Sequence, residues 1–237
     1  MYPQATAQIA SLIKLRYRLI PYLYELLWQS TQAYEPVLRP TFAEFPADRR
    51  CYDESDDMLL GTALLVAPAV DEGQTERTVY LPAGARWVSY WSGEVFEGGQ
   101  SVTLPAPWDQ PVMLIREGGV VALNVAEQHF DQRADQRGFL VVPVSGAGET
   151  TGGCIEDDGE SEAWRNGEQG RWNVHAVSDA QTVTLSVTRE GRMPEQPTSV
   201  DIFLPAGETR QVQTPHARVL EDIVVNGWRQ LTLQLQA

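Results

Sequence analysis

The hydrophobic pattern of the chain changes from a helical to a strand-like period near residue 60. In residues 7–31, apolar side chains recur every three or four positions, which predicts one apolar stripe along a helix. The stripe comprises Ile9, Leu12, Ile13, Ile20, Leu23 and Leu27. Pro21 has no backbone N–H and its ring collides with the preceding turn, so we expect a kink or a break there.

The segment after this helix predicts a single strand. Pro36 favours extended backbone at Glu35, and residues 37–45 indicate a strand that ends at Pro46. One helix and one strand cannot cover the apolar stripe by themselves, so the pattern predicts a docking surface for a partner. Removing residues 1–35 is then expected to raise solubility.

From Gly61 onward, short apolar segments alternate with turn residues. The strand candidates of a first series are residues 63–70, 78–81, 86–91, 101–104, 111–116 and 120–123. A second series comprises residues 138–143, 172–177, 182–188, 200–204 and 231–235. Residues 182–188 alternate strictly between polar and apolar, which is typical of a half-buried strand. Strands at this spacing predict antiparallel sandwiches.

The polar residues 127–138 are the predicted boundary between the two series. We therefore predict a mainly β fold, in which a kinked helix and a strand (residues 1–60) precede two antiparallel β-sandwich domains. The proximal sandwich is predicted to span residues 61–128 and the distal sandwich residues 129–237.

Composition restricts the class of partner. A hydrophobic fraction of 43% with 7 Trp and 8 Tyr indicates a folded globular protein. The formal charge of −14, spread over both halves of the chain, argues against a nucleic-acid partner, because phosphates need a cationic surface. No apolar run approaches the length of a membrane span, so no membrane partner is predicted, and no signal-peptide pattern is present. For a longer parent protein these patterns leave both a cytoplasmic and a periplasmic location open.

Several short strings together resemble the C-terminal portion of glycoside hydrolase family 31, the α-glucosidase and α-xylosidase family. The strings occupy residues 16–24, 35–40, 44–46, 60–68, 79–82, 87–93 and 98–100, with a weaker match at 156–161. The resemblance implies that residues 1–60 are the end of a catalytic (β/α)8 barrel, followed by the family's two C-terminal sandwiches. It also implies an upstream barrel as the missing partner, either from the same gene or as a separate chain of a split enzyme, with an oligosaccharide as its substrate.

Retaining glycosidases need two carboxyl groups about 5 Å apart, one as nucleophile and one as acid/base. In the family both are aspartates on barrel strands upstream of the helix that resembles residues 16–24, so no catalytic residue is assigned here. Glu35 and Glu44 flank the predicted strand, and nine extended residues place them roughly 30 Å apart, too far for a catalytic pair. We expect no cofactor.

Other candidate chemistry is weak. The acidic runs 53–57 and 156–160 offer oxygen ligands but lack a calcium-loop spacing, so solvated turns or helix caps are favoured. His129, His175 and His216 have no partner at a metal-binding offset, so no metal site is predicted. Cys51 and Cys154 are expected to be free thiols rather than a disulfide.

Aromatic residues are the best candidates for sugar contact, because exposed aromatic faces stack on pyranose rings. The candidates are Trp87, Tyr90, Trp91 and Trp108. Trp87 and Trp91 share strand parity and would face one side of a sheet, so core packing competes with a carbohydrate platform. Trp164, Trp172 and Trp228 have the same two interpretations.

Two functions from different classes fit these patterns. The first is a structural C-terminal portion of a family 31 α-glycosidase, in which an upstream barrel cleaves α-glucosidic or α-xylosidic bonds. The alternative is an independent β-sandwich module that binds carbohydrate or supports assembly. The amphipathic helix favours the first, because an independent module has no use for an unpaired apolar stripe.

Overall fold

The computed structural model describes residues 5–53, 56–125, 136–192 and 198–235. Its first element is helix α1 (Thr6–Ala33), which runs without interruption through Pro21 and ends at Tyr34 in a left-handed conformation. Of the two outcomes expected at Pro21, the break is therefore wrong, and the kink stays a prediction. Proline removes only one backbone donor, and the neighbouring Leu19, Tyr22 and Leu26 are buried in the core, so tertiary packing overrides the local penalty.

Helix α1 packs with a face that lies about 100° around the helix from its apolar stripe. Leu19, Tyr22 and Leu26 are 4–7% exposed, whereas Ile13 is 50% and Leu27 54% exposed. At 100° per residue, these two sets lie on different sides of the helix. Most of the apolar stripe found in the sequence therefore stays open, whereas Leu23 packs against the core, and a second, less obvious face supplies the buried residues.

The chain between α1 and residue 116 forms two sheets that pack on each other. Its elements are β1 (Leu38–Pro40), α2 (Thr41–Glu44), β2 (Met58–Leu60), β3 (Leu64–Ala67), β4 (Glu76–Leu81), β5 (Arg86–Ser89), β6 (Val95–Glu97), β7 (Gln100–Pro105) and β8 (Val112–Arg116), with a short 3-10 turn at Arg49–Tyr52. One sheet has the order β1-β2-β3-β8-β5-β6 and the other pairs β4 with β7. Their core includes Phe45, Leu59, Val79, Trp87 and Leu114.

The strand predicted for residues 37–45 is shorter than expected. Strand β1 ends at Pro40, where α2 begins and turns the chain away from the sheet. Strands β1 and β2 pair with each other, and β2 pairs with β3. The chain on both sides of the predicted division at residue 60 thus shares one sheet, and the three domain ranges stay predictions.

The remaining strands form a second pair of sheets. They are β9 (Val120–Asn124), β10 (Arg137–Val141), β11 (Gly148–Glu156), β12 (Gly170–Ser178), β13 (Thr182–Gly191), β14 (Ser199–Pro205), β15 (Gln211–Gln213), β16 (Ala217–Val225) and β17 (Trp228–Leu235), with a 3-10 turn at Ala163–Asn166. The orders are β16-β17-β14-β10-β9 and β11-β12-β13-β15. Strands pair antiparallel, apart from β10 with β14 and β13 with β15.

The mainly β fold with antiparallel sandwiches and a preceding helix is thus confirmed. The predicted half-buried strand within β13 is also confirmed, because Val183, Leu185 and Val187 are buried between less buried polar neighbours. Most of the predicted boundary at residues 127–138 lies outside the described residues. Below, "proximal" denotes the sheets built from β1–β8 and "distal" those built from β9–β17.

Candidate functional site

A buried carboxylate fixes helix α1 to the distal sheets. Glu25 is 3% exposed, and its Oε2 accepts a hydrogen bond of 3.0 Å from the backbone N–H of Ile155. Arg171 donates to both carboxylate oxygens, at 2.7 and 3.3 Å, and Gln29 donates to Oε1 at 2.9 Å. Both oxygens of the buried carboxylate are therefore hydrogen-bonded, which offsets the cost of removing the group from water.

Two further hydrogen bonds join α1 to both sandwiches. Tyr22 Oη donates to the Leu60 carbonyl at 2.7 Å, and Asn124 Nδ2 donates to the Tyr17 carbonyl at 3.0 Å. Burial raises the pKa of Tyr22. The helix is consequently part of the core and not a loosely attached segment.

The four aromatic candidates occupy three different environments. Trp87 is fully buried, 5.7 Å from the Phe45 ring, and its indole N–H donates to the Pro82 carbonyl at 3.1 Å, so no face of it is open to a ligand. Trp108 is 62% exposed. It lines a groove with Ile9 and Leu12 of the apolar stripe.

Tyr90 and Trp91 lie where α1 and the two sandwiches meet. Their rings contact edge to face at 5.0 Å, and the Trp91 indole donates to the Pro111 carbonyl at 2.7 Å. Trp87 and Trp91 pack against different clusters, because strand β5 ends at Ser89 and the parity argument does not reach Trp91. Trp172 and Trp228 are buried, while Trp164 is 38% exposed beneath Arg165.

A cavity of about 520 Å³ opens beside these two aromatic residues. We call it the junction cavity. It is lined by Ser11, Lys14 and Arg18 of α1, by Tyr90, Trp91, Asp109 and Gln110 of the proximal part, and by Phe203, Asn226, Trp228 and Gln230 of the distal part, among others. Burial raises the pKa of Tyr90, and the adjacent Arg18 guanidinium partly offsets this effect.

Glu35 and Glu44 are much closer than the extended-chain argument predicted. Both bind one guanidinium: Arg39 contacts Glu35 at 2.9 Å and Glu44 at 2.7 Å. The predicted separation is wrong because α2 folds Glu44 back towards β1. Arg116 also lies 3.8 Å from Glu44. With Arg39 held between them, the two carboxylates form a structural ion network and not a pair that faces a substrate.

The second acidic run forms a turn that uses its own oxygens. Asp157 accepts from the Gly159 N–H, and Asp158 accepts from the N–H groups of Glu160 and Ser161. Glu156 pairs with Arg137. These contacts match the turn that was favoured over a calcium site.

In the first acidic run, residues 54–55 lie outside the described residues, and Asp57 pairs with Arg77 at 2.8 Å. His129 is also outside them, and His175 lies 3.2 Å from Glu149. Among the described residues, no group of three or more His, Cys, Asp and Glu is arranged to hold a metal ion. Cys51 and Cys154 are buried free thiols, as predicted.

One face of α1 exposes a row of large apolar side chains. The exposed stripe, as we use the term below, consists of Ile9, Ile13, Ile20, Tyr24 and Leu27, which are 39–54% exposed. Tyr34, Leu38 and Phe42, which follow α1 in the chain, are also 43–91% exposed. Exposed apolar residues that recur along one helix face are typical of interaction surfaces. No helix within the described part of the chain is both long and apolar enough to span a membrane.

A match to a protein-family model identifies the family of the central region of the chain. The C-terminal domain of glycosyl hydrolase family 31 matches residues 34–121, which hold the proximal sheets and the first two residues of β9. The chain carries the C-terminal domain of glycoside hydrolase family 31. In this family 31 chain the matched segment includes the Arg39 ion network, Tyr90 and Trp91, whereas α1 and most of the distal sheets lie outside it.

Comparison with individual proteins agrees with the family. Alpha-glucosidase 2 of Bacillus thermoamyloliquefaciens is 29% identical over 224 residues, which are 90% of this chain and 28% of that protein. The crystal structure of the family 31 α-xylosidase of Xanthomonas citri matches 84% of this chain and 21% of that chain, at 30% identity and a TM-score of 0.70.

A family 31 dextranase of Flavobacterium johnsoniae, solved with isomaltotriose, covers 98% of this chain and 32% of its own length. Its TM-score is 0.80 and its identity 21%, so that likeness shows the fold alone. The chain thus spans between 21% and 32% of these three family 31 proteins. The matched relatives are larger enzymes in which this region is the C-terminal part.

Sequence reasoning missed Glu25, Arg18 and Lys14 as residues that shape the junction. Glu25 had a detectable signal, because a charged residue beside Leu26 and three positions after Tyr22 lies on the second apolar face of α1. Arg18 and Lys14 had none, since their neighbours in space come from residues 90–230.

Proposed function

We propose that this chain is the structural C-terminal portion of a retaining family 31 α-glycosidase, whose full-length form hydrolyses α-glucosidic or α-xylosidic bonds. The exposed stripe carries the proposal. One face of α1 is fixed in the core by Leu19, Tyr22 and Leu26, so the exposed stripe, about 120° away around the helix, is held rigidly in place for a partner. That partner is the upstream barrel that the family resemblance implies.

Within such an enzyme, the two catalytic carboxylates would come from the barrel and this chain would act as scaffold. The segment from Glu35 to Glu44 would form one rim of the substrate site. Its shape is rigid, because Arg39 is 8% exposed and bridges Glu35 and Glu44 while its Nε donates to the Pro36 carbonyl at 2.9 Å. A rigid support of this kind holds substrate-positioning groups in a reactive geometry.

The chain alone is expected to release no nitrophenol from nitrophenyl α-glucoside or α-xyloside. Adding the upstream barrel portion of the Bacillus thermoamyloliquefaciens α-glucosidase 2 as a separate chain should restore turnover. Ile13→Glu and Ile20→Glu place a charge in the exposed stripe and should lower the restored rate at least tenfold, because a charge buried at the interface is costly. Initial rates at increasing concentrations of this chain measure the effect.

Val224→Glu is the matched control, because Val224 is an apolar residue that is 65% exposed on β16, outside the exposed stripe. It should leave the restored rate unchanged, and all three variants should unfold at the wild-type urea concentration. Turnover by the chain alone that a covalent glycosidase inhibitor blocks would overturn the scaffold role. Equal restoration by Ile13→Glu and the wild type would remove the stripe from the interface.

The core position of α1 also changes the expectation for truncation. Since Leu19, Tyr22 and Leu26 belong to the cluster that includes distal residues such as Trp172, removing residues 1–35 is now expected to expose the core. Point substitutions in the exposed stripe therefore test docking more cleanly than truncation does.

A further inference from the structure

We propose that the junction cavity is a binding site for a neutral saccharide. The site extends beyond the proposed scaffold function, because no barrel residue is needed to form it. Its volume of about 520 Å³ is within the range of roughly 300–1,000 Å³ that is usual for small-molecule sites. Three separate parts of the fold supply its walls, so the cavity exists only in the assembled structure.

The chemistry of the walls fits sugar hydroxyl groups. A hydroxyl both donates and accepts hydrogen bonds, and the side-chain amides of Gln110, Asn226 and Gln230 do the same. Trp91 adds a half-buried aromatic ring on which the apolar face of a pyranose can pack. The combination of aromatic surface with dual donor–acceptor groups is what a polyhydroxylated ring requires.

The cavity carries charged groups of both signs, and a neutral polyol can hydrogen-bond to all of them. Lys14, the only lysine of the chain, and Arg18 contribute positive charge, but the carboxylate of Asp109 lines the same cavity. An inorganic anion would have to approach this carboxylate, whereas a sugar hydroxyl can donate to it. Asp109 therefore disfavours an inorganic anion relative to a neutral sugar.

Unused hydrogen-bonding capacity lies in one lining residue, Arg18. Its guanidinium lies over the Phe203 ring and beside the Tyr90 hydroxyl, with which it interacts. The Nε of Arg18 is nevertheless buried without a hydrogen-bond partner. Buried donors without acceptors are uncommon in folded proteins. A ligand hydroxyl that accepts from this Nε would satisfy it.

The cavity lies away from the docking face. Ser11 and Arg18 differ from Ile9 and Ile20 by about 200° on the α1 helical wheel, at 100° per residue. A partner bound to the exposed stripe would consequently leave the cavity entrance free. Only the choice of α-glucans as probes, and not the cavity itself, rests on the proposed function.

Titration calorimetry and saturation-transfer NMR of the full chain with maltotriose and isomaltotriose test the site. At least one trisaccharide is expected to bind, and Trp91→Ala should weaken that binding about tenfold through loss of the aromatic surface. Trp108→Ala is the matched control, because Trp108 is exposed outside the cavity, and it should bind as the wild type does.

Tyr90→Phe separates binding from stability. The Tyr90 hydroxyl contacts the Arg18 guanidinium, and because a single hydrogen bond contributes little to net stability, its removal should change the unfolding midpoint only slightly. The same substitution should weaken trisaccharide binding several-fold. Absence of binding by both sugars, binding of inorganic phosphate in their place, or unchanged affinity in Tyr90→Phe would each overturn the proposal. None of these outcomes bears on the barrel-docking assay, which uses other residues.

Discussion

Replacing Gly227 by alanine is expected to lower the free energy of unfolding by about 4 kcal/mol. Gly227 has φ +77°, and an added Cβ would lie 1.6 Å from the Ser92 carbonyl oxygen. The colliding atom belongs to backbone, so the turn between β16 and β17 would have to move away from the proximal sandwich. That movement would break the buried bond of 3.0 Å from the Trp228 indole N–H to the Tyr90 carbonyl.

Substitutions at two other glycines separate the cost of backbone strain from the cost of the steric collision. Gly84 has φ +90° and no atom within 4 Å of the place that an added Cβ would take, so Gly84→Ala isolates the backbone strain, about 1 kcal/mol. Gly207→Ala meets neither strain nor contact and should be neutral. Urea unfolding of the three variants, followed by tryptophan fluorescence, measures the series. If Gly227→Ala loses no more stability than Gly84→Ala, the turn between β16 and β17 can move away from the proximal sandwich at little cost.

The strands of both sandwiches were predictable because sheet burial imposes a two-residue period on the sequence. Residues 182–188 show this directly, since their alternation matches the burial of Val183, Leu185 and Val187. The helix was predictable for a similar reason, because apolar residues on one side of a helix recur every three to four positions. What the period could not reveal is which apolar face packs, because α1 has two: the obvious stripe and the face with Tyr22 and Leu26.

Distances between side chains were less predictable than elements. The separation of Glu35 and Glu44 depends on whether the chain continues straight after Pro40, and four residues of α2 are enough to reverse the conclusion. The junction cavity is further still from local sequence information. Its walls come from segments around residues 11–18, 90–91 and 203–230, and no short-range pattern relates them.

Replacing Glu25 by alanine is expected to cost about 3 kcal/mol and to loosen α1 from the distal sheets. The substitution leaves the Ile155 N–H buried without an acceptor and removes the partner of Arg171. The Arg171 side chain is 41% exposed, so solvent can compensate its charge, and the unsatisfied Ile155 donor contributes the larger part. Urea unfolding gives the loss, and hydrogen exchange at Ile155 reports whether the contact opens locally.

Glu25→Gln keeps an oxygen that can accept from Ile155 and removes only the charge, so about half of the loss should return. Glu162→Ala is the surface control, because Glu162 and Arg165 form an exposed pair at 3.2 Å, and its effect should be below about 0.5 kcal/mol. In the double variant Glu25→Ala with Arg171→Ala, the loss of stability should be smaller than the sum of the two single losses, since both substitutions remove the same bond. Strict additivity, or a Glu25→Ala effect as small as that of Glu162→Ala, would show that the carboxylate does not hold the helix. The apolar contacts of Leu19 and Leu26 would then suffice to present the exposed stripe to a partner.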